Sequence, residues 1–147
     1  MTDQPTQLVV LGVLVLLTAV AGLLWRSRQG RVRTTPARRD LGVDWAARGV
    51  GLGERATFVQ LSAEVCAPCR ATARVLRGLA EREDGVVHQE LDVEEHLDLV
   101  RELGVLKTPT VLVLDATGAQ AARSSGGMSP AQARQALDAA RPVPAAA

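Results

Sequence analysis

Hydrophobic positions divide the chain into an apolar run near its start and a longer region in which apolar and polar positions alternate. The run from Leu8 to Trp25 carries no charged residue. Its 18 residues correspond to a helix of about 27 Å, close to the hydrocarbon thickness of a bilayer. A domain of about one hundred residues cannot cover such a helix on all sides. The pattern therefore predicts a transmembrane helix over residues 8–25 rather than a buried core helix.

The charges around this run predict its orientation. Asp3 is the only charged side chain before it, whereas six arginines follow it between residues 26 and 39. By the positive-inside rule, the chain crosses the cell membrane once and its soluble part lies in the cytoplasm. A cleaved signal peptide is one alternative, because Ala19–Ala21 resembles a cleavage site, but signal peptides carry positive charge ahead of the apolar run. An extracytoplasmic soluble part is the other alternative.

Periodicity after the apolar run predicts alternating strands and helices. Residues 26–40 lack apolar periodicity and are interpreted as an arginine-rich tether. A short helix with an inward-facing Trp45 is predicted over Leu41–Val50. The further predicted elements are strands at Thr57–Leu61, Val86–Val93, Thr110–Asp115 and Ala119–Ser124, and helices at Cys66–Glu83 and Glu95–Leu103.

The order of these elements predicts an α/β sandwich. A parallel strand pair joined by a helix is followed by an antiparallel hairpin and a closing helix, which starts at a Ser129–Gln132 capping box with Pro130 in its first turn. Thr110–Asp115 is almost entirely apolar, so it belongs in the middle of the sheet. The predicted domains are an N-terminal tail at 1–7, the membrane span at 8–25, the tether at 26–40, the folded domain at 41–142 and a disordered tail at 143–147.

The charge and the cysteine content of the chain limit which partners and reactions are predicted. The net charge is only +1, and no aromatic residues are interleaved with the clustered arginines, so nucleic acid is not a predicted partner. Cys66 and Cys69 are the only cysteines. Their spacing at a predicted helix start is that of a pair that closes and reopens a small disulfide ring. The sequence therefore points to thiol–disulfide exchange.

The chain resembles the thioredoxin family over roughly residues 55–140. The resemblance rests on a strand, the motif Cys66-Ala67-Pro68-Cys69 at a helix start, and the run Lys107–Thr110 ahead of a core strand. It implies a thioredoxin-like three-layer α/β/α sandwich with a mixed sheet. It also implies a protein-disulfide reductase with protein disulfides as substrates, an upstream thiol reductase as electron donor and no cofactor.

The same resemblance assigns roles within the motif. Cys66 is the attacking nucleophile, because a helix N-terminus favours a thiolate and Arg70 adds positive potential. Cys69, one turn deeper on the core face, is the resolving thiol that releases the reduced partner. Ala67 and Pro68 complete the active-site loop, and the proline favours, by resemblance, a reductase over a strong oxidant.

The resemblance also implies three substrate-binding residues. Pro109 matches the family's cis-proline, which turns the backbone of Thr108 toward the cysteines so that it pairs with an extended stretch of substrate. An ordinary trans-proline is the alternative. Gly126, together with Gly127, matches the glycine segment that borders the substrate groove, and a flexible turn is equally compatible with the sequence.

Several residues depart from the family pattern. Gln60 stands where the family has a buried aspartate that takes the proton of the resolving thiol, and an amide cannot act as a base. Val65 and Ser62 replace two tryptophans, and the lysine usual on the following strand is absent, with Glu90 nearby. The departures predict a slower or more specialised relative, unless water or Glu64 accepts the proton.

Two alternatives concern the cysteine pair itself. A metal site built from both cysteines, His88 and His96 is disfavoured, since the histidines are eight residues apart, and no metal is predicted. Binding of a soft ion such as Cu(I) by the two thiols alone stays open. A non-catalytic interaction module of the same fold is the second alternative, although such a module has no need of both thiols.

Overall fold

The computed structural model describes residues 4–28 and 32–141. The chain forms four helices and five strands within these ranges. In chain order they are α1 (Gln4–Arg28), β1 (Arg33–Arg39), β2 (Ala56–Ser62), α2 (Ala67–Ala80), β3 (Val86–Asp92), α3 (Leu97–Glu102), β4 (Thr110–Asp115), β5 (Gln120–Ser125) and α4 (Pro130–Ala139).

The five strands form one mixed sheet in the order β1-β5-β4-β2-β3. Strands β2 and β3 are parallel because α2 connects them, whereas β4 pairs antiparallel with both β2 and β5. All six residues of β4 are buried, which confirms that its apolar run belongs in the middle of the sheet. The predicted α/β fold with a mixed sheet is therefore confirmed.

Two aliphatic cores cover the two faces of the sheet. Alternation along β2 turns Phe58 to the core beneath α2 and α4 and turns Val59 to the opposite core, which includes Leu99 of α3. The chain contains one phenylalanine and no tyrosine, so leucine, valine and alanine fill most of both cores. Helix α4 contributes the small side chains of Ala133 and Ala136 to its core, and its C-cap residue Ala140 belongs to the same core.

The caps of α4 follow the sequence signal closely. The hydroxyl of Ser129 accepts a hydrogen bond from the Gln132 backbone amide at 3.3 Å, and the Gln132 side chain accepts one from the Ser129 amide at 2.8 Å. Pro130 lies in the first turn of α4, where backbone N–H groups have no acceptor within the helix. The absence of an N–H group in proline therefore costs no helical hydrogen bond there. The predicted capping box is confirmed.

A strand occupies part of the predicted tether, and this is a correction to the sequence interpretation. Residues Arg33–Arg39 pair antiparallel with β5 at the edge of the sheet, with Arg33 opposite Arg123 and an irregular register after Thr34. The sequence of β1, RTTPARR, contains a proline and three arginines, which edge strands accommodate because only one side of the strand is paired. Such a strand has no apolar alternation, so periodicity could not reveal it.

The helix predicted over Leu41–Val50 is wrong, although its tryptophan faces inward as expected. Residues 45–49 form hydrogen-bonded turns, in which the Val50 amide donates to the Trp45 carbonyl at 2.9 Å. Trp45 is 5% exposed, and its indole Nε1 donates to the Gly118 carbonyl at 3.1 Å. Gly49 adopts φ +72°, a conformation that ends a helix rather than continuing it.

The N-terminal helix α1 contains an 18-residue apolar window, Gln7–Leu24, with mean hydropathy 2.6 and no residue buried against the rest of the protein. Its length and composition fit both a membrane anchor and a signal sequence near the N-terminus. The window agrees with the predicted span within one residue at each end. Helix α1 begins at Gln4, within the predicted tail 1–7, and the predicted tail 143–147 lies outside the described residues.

Candidate active site

The cysteine motif lies where β2 leaves the sheet and α2 begins. Cys66 is the N-cap of α2, with extended backbone angles of φ −143° and ψ 97°, and its carbonyl accepts a hydrogen bond from the Arg70 amide at 3.2 Å. Pro68 lies in the first turn, where no backbone donor is required. The sulfur of Cys66 thus lies at the positive end of the helix dipole.

The two cysteines form a disulfide, with their Cα atoms 5.2 Å apart. Cys66 retains 8% exposure, whereas Cys69 retains 2% and belongs to the buried face of α2 together with Thr72 and Leu76. Cys66 is therefore the more accessible residue of the pair. The backbone amide of Cys69 also lies 3.2 Å from the Cys66 sulfur, so a thiolate at Cys66 would have an amide donor in place.

The predicted substrate-binding residues come together beside this motif. The Thr108–Pro109 peptide bond is cis, as predicted, and the Pro109 carbonyl accepts a hydrogen bond from the Gly126 amide at 2.7 Å. Gly126 has φ +103°, a backbone conformation that favours glycine. The next residue, Gly127, borders α2, since a Cβ built there would lie 3.9 Å from Pro68 Cβ.

Two exposed hydrophobic residues lie in the same loops, and sequence reasoning did not assign them to the site. Val65, directly before Cys66, is 93% exposed, and Leu106, two residues before Thr108, is 97% exposed. Both side chains are therefore available for contact with another protein. Their exposure depends on the tertiary placement of the loops, which no local sequence pattern reports.

Comparison with known proteins agrees with this geometry. A family model described as a thioredoxin-like domain matches residues 46–141. The chain belongs to the thioredoxin-like family. A search of curated proteins found no match.

Solved structures of thioredoxin-like proteins share the fold. Two hundred and forty-four solved chains match, and one of them comes from the structure titled "Crystal structure of chloroplastic thioredoxin z defines a novel type-specific target recognition". That chain is 25% identical, and the alignment covers 71% of this chain and 95% of the other with a TM-score of 0.53. A thioredoxin-like domain with this cysteine pair is consistent with a thiol–disulfide oxidoreductase and implies protein thiols as partners in general.

A polar network lies behind Cys69 in this thioredoxin-like domain. Gln60 is fully buried, and its Nε2 lies 3.0 Å from the Cys69 carbonyl, 2.8 Å from Ser62 Oγ and 3.1 Å from Glu90 Oε1. Its two amide protons serve two of these acceptors at a time, while Ser62 Oγ donates to Glu90 Oε1 at 2.5 Å. Within the described part of the chain, each buried side-chain nitrogen or oxygen has a hydrogen-bond partner. The hydrogen bonds of the Gln60 amide are therefore satisfied, but an amide offers no base to the Cys69 side chain.

His88 closes this network on the other side of Gln60. Its Nε2 lies 3.2 Å from Gln60 Oε1, and because that oxygen only accepts, Nε2 carries the proton. Burial lowers the pKa of His88 below 6.5, Glu90 opposes this shift, and the positive charge of Arg77 adds to it. His88 is therefore held as a neutral imidazole that donates to Gln60.

The metal site considered from the sequence is not assembled. The Nδ1 of His96 lies 3.0 Å from the Asp92 carbonyl, and His88 contacts Gln60. Among residues 4–28 and 32–141, no three His, Cys, Asp or Glu side chains are grouped so as to hold a metal ion. The exposed Glu64 is absent from the hydrogen-bonded group around Gln60, whereas Glu90 belongs to it.

Proposed function

We propose that the protein is a membrane-tethered thiol–disulfide oxidoreductase that reduces disulfides of partner proteins with the dithiol of Cys66 and Cys69. The observation that carries the proposal is the unequal placement of the two sulfurs. Cys66 caps a helix and is the more exposed residue of the pair, whereas Cys69 lies behind it on the buried face of the same helix. This arrangement separates an attacking thiolate from a resolving thiol.

The reaction consists of two sulfur displacements. The Cys66 thiolate attacks one sulfur of the partner's disulfide, which forms a mixed disulfide and releases the other partner sulfur as a thiolate that takes up a proton. The Cys69 thiol then loses its proton and attacks the Cys66 sulfur, which forms the Cys66–Cys69 disulfide and releases the second partner thiol. Two electrons pass to the partner, and an upstream thiol reductase restores the dithiol.

The loops around the cysteine motif position the partner protein and the two sulfurs. Thr108 and Pro109 present backbone for an extended stretch of the partner, and Gly126 lies against Pro109 at the same edge. Ala67 and Pro68 keep the loop between the two sulfurs short and stiff, and Arg70 adds positive potential at the thiolate. The buried Gln60 gives Cys69 no carboxylate in direct contact, so resolution of the mixed disulfide is the slow displacement.

The apolar helix supports attachment to a membrane, with the arginine-flanked side in the cytoplasm. Helix α1 ends at Arg28 and β1 begins at Arg33, so their Cα atoms are at most about 18 Å apart along the chain. A domain held this closely to the end of a membrane helix meets membrane-bound partners at a raised effective concentration.

The test is reduction of insulin by the full chain in a neutral detergent. The full chain is used because β1 belongs to the sheet and would be lost from a variant that starts at residue 40. We expect turnover by the wild type and none after Cys66→Ser or Cys69→Ser. Cys69→Ser accumulates a mixed disulfide with insulin and Cys66→Ser does not. A wild-type rate equal to that of the dithiothreitol background would overturn the proposal and favour a non-catalytic interaction module.

A further inference from the structure

An open cavity of about 550 Å³ lies along the outer face of α2, beside the cysteine pair. Three exposed arginines on this face, at positions i, i+4 and i+7 of the helix, line it. One end of the cavity reaches the cysteine motif, because its wall includes Ala67, the residue after Cys66. The lining residues are Ala67, Arg70, Ala73, Arg74, Arg77 and Glu90.

The three arginines of this cavity form no ion pair within the described part of the chain, although the wall also includes the carboxylate of Glu90. Within the described ranges, no carboxylate lies within 4.0 Å of the Arg70, Arg74 or Arg77 guanidinium. Glu90, the acidic residue of the wall, accepts hydrogen bonds from Ser62 and Gln60 instead. Other arginines of the same domain do form ion pairs, namely Arg48 with Asp98, Arg55 with Glu83 and Arg141 with Asp138.

We propose that this cavity binds acidic side chains of the protein whose disulfide Cys66 attacks. The inference rests on the proposed function, since the occupant must lie beside a partner's sulfur. Guanidinium groups bind carboxylates in a bidentate manner, and a row of three gives an extended acidic segment several such contacts. Ala67 and Ala73 are small, so a peptide backbone has room to approach the helix between the arginines.

The geometry places the acidic residues at a definite distance from the partner's cysteine. At 1.5 Å per residue, Arg70 lies about 6 Å and Arg77 about 16 Å along the helix axis from Cys66. An extended peptide advances about 3.3 Å per residue. The preferred partner therefore carries Asp or Glu at roughly two to five residues from its reactive cysteine. A concave site whose wall includes the residue next to the nucleophile favours such a peptide over a lipid surface.

The experiment compares disulfide-bonded peptides that are identical except at these four positions, which carry Glu and Asp in one peptide and Gln and Asn in the other. The reduced full chain in a neutral detergent is mixed with each peptide, and the second-order rate constant of reduction is measured. We expect the acidic peptide to react about threefold to tenfold faster at low ionic strength. We expect this ratio to fall toward one as salt screens the charges.

Two matched double variants test the assignment to these arginines. We expect the double variant Arg74→Gln with Arg77→Gln to reduce the acidic peptide and the amide peptide with nearly equal rate constants, so that their ratio is close to one. Arg101→Gln with Arg134→Gln removes the same charge from exposed positions outside the cavity and leaves the ratio unchanged. A control that lowers the ratio as much as the first variant overturns the inference, because net charge alone would then explain the preference.

The remaining outcomes separate the inference from the function on which it rests. If neither peptide is reduced, the proposed function fails. If both peptides are reduced at equal rates by the wild type, the acidic site fails and the proposed function stands. In that case, a wild-type preference for phosphatidylserine over phosphatidylcholine vesicles that is lost in the Arg74/Arg77 variant would assign the cavity to lipid headgroups instead, since α1 contributes equally to binding of both vesicles.

Discussion

The side-chain amide of Gln60 donates a hydrogen bond to the backbone carbonyl of Cys69 across 3.0 Å. This bond joins β2 to the first turn of α2, directly behind the sulfur of Cys69. A carboxylate at position 60 would accept a proton there, but it would leave the Cys69 carbonyl without this donor. Glutamine at position 60 therefore stabilises the folded site, but it cannot act as a base as a carboxylate at this position could.

Gln60→Asp separates these two effects. We expect the variant to lose about 1–3 kcal/mol of unfolding free energy, because the Cys69 carbonyl loses its donor and the introduced carboxylate lies beside Glu90. We expect resolution of the mixed disulfide to accelerate by about tenfold or more, since a positioned base contributes at least that much. Urea unfolding measures the first quantity, and stopped-flow decay of a preformed mixed disulfide measures the second.

Gln60→Asn is the matched control for this prediction. It shortens the side chain as aspartate does and disturbs the same hydrogen bonds, but it introduces no base. We expect a comparable loss of stability and no acceleration. Equal resolution rates in the two variants would contradict the role assigned to the missing carboxylate.

His88 makes the stability of the domain depend on pH. Its pKa in the folded protein is below 6.5 because burial disfavours the imidazolium, with Arg77 adding to the shift and Glu90 opposing it. The unfolded chain therefore binds a proton more readily than the folded chain between these two pKa values. The contribution of neutral His88 to the free energy of unfolding is fully present above about pH 6.5, its ordinary pKa in the unfolded chain. This contribution is lost as the pH falls through this window toward the lower pKa of His88 in the folded protein.

Urea unfolding at pH 7.5 and at pH 5.5 checks this prediction. We expect the wild type to lose more unfolding free energy between these pH values than His88→Gln, whose amide can still donate to Gln60 but does not titrate. A wild type that becomes relatively more stable at pH 5.5 would mean that the imidazolium is favoured in the folded protein, contrary to its burial.

The edge strand β1 leads to a prediction about where the folded domain begins. A variant that starts at residue 32 retains β1, and one that starts at residue 40 exposes the unpaired edge of β5. We expect the shorter variant to be less stable by about 1–3 kcal/mol, because it lacks several ladder hydrogen bonds, and more prone to aggregate. Equal urea midpoints and equal solubility would show that residues 33–39 contribute nothing to the fold.

The contrast between β1 and β4 shows which parts of the structure local patterns predict. The apolar run Thr110–Asp115 and the capping box at Ser129 depend on neighbouring residues, so the sequence predicted both. Strand β1 exists because residues 33–39 meet β5, almost ninety positions later, and its polar sequence gives no sign of that pairing. Trp45 is similar, since its indole is held by the carbonyl of Gly118 rather than by a local helix.

The same distinction holds within the site. The cysteine spacing predicted both the helix start and the deeper burial of Cys69, because these follow from adjacent residues. The contact between Gln60 and Glu90 depends on the parallel register that places these residues opposite each other in β2 and β3. Arg70, Arg74 and Arg77 lie on one face of α2 because of their helical spacing, but only the folded structure shows that no carboxylate of the described residues forms an ion pair with them.

The orientation of the apolar helix is the last prediction. The six arginines after residue 25 predict that Cys66 faces the cytoplasm. In Cys69→Ser the single remaining thiol is Cys66, and we expect a membrane-impermeant maleimide to label it in broken cells but not in intact ones. Replacing Arg26, Arg28 and Arg31 by glutamate removes half of the flanking arginines and should make part of the population accessible in intact cells. Labelling of the Cys69→Ser protein in intact cells, together with a mature N-terminus that follows Ala21, would instead identify a cleaved signal sequence and an exported domain.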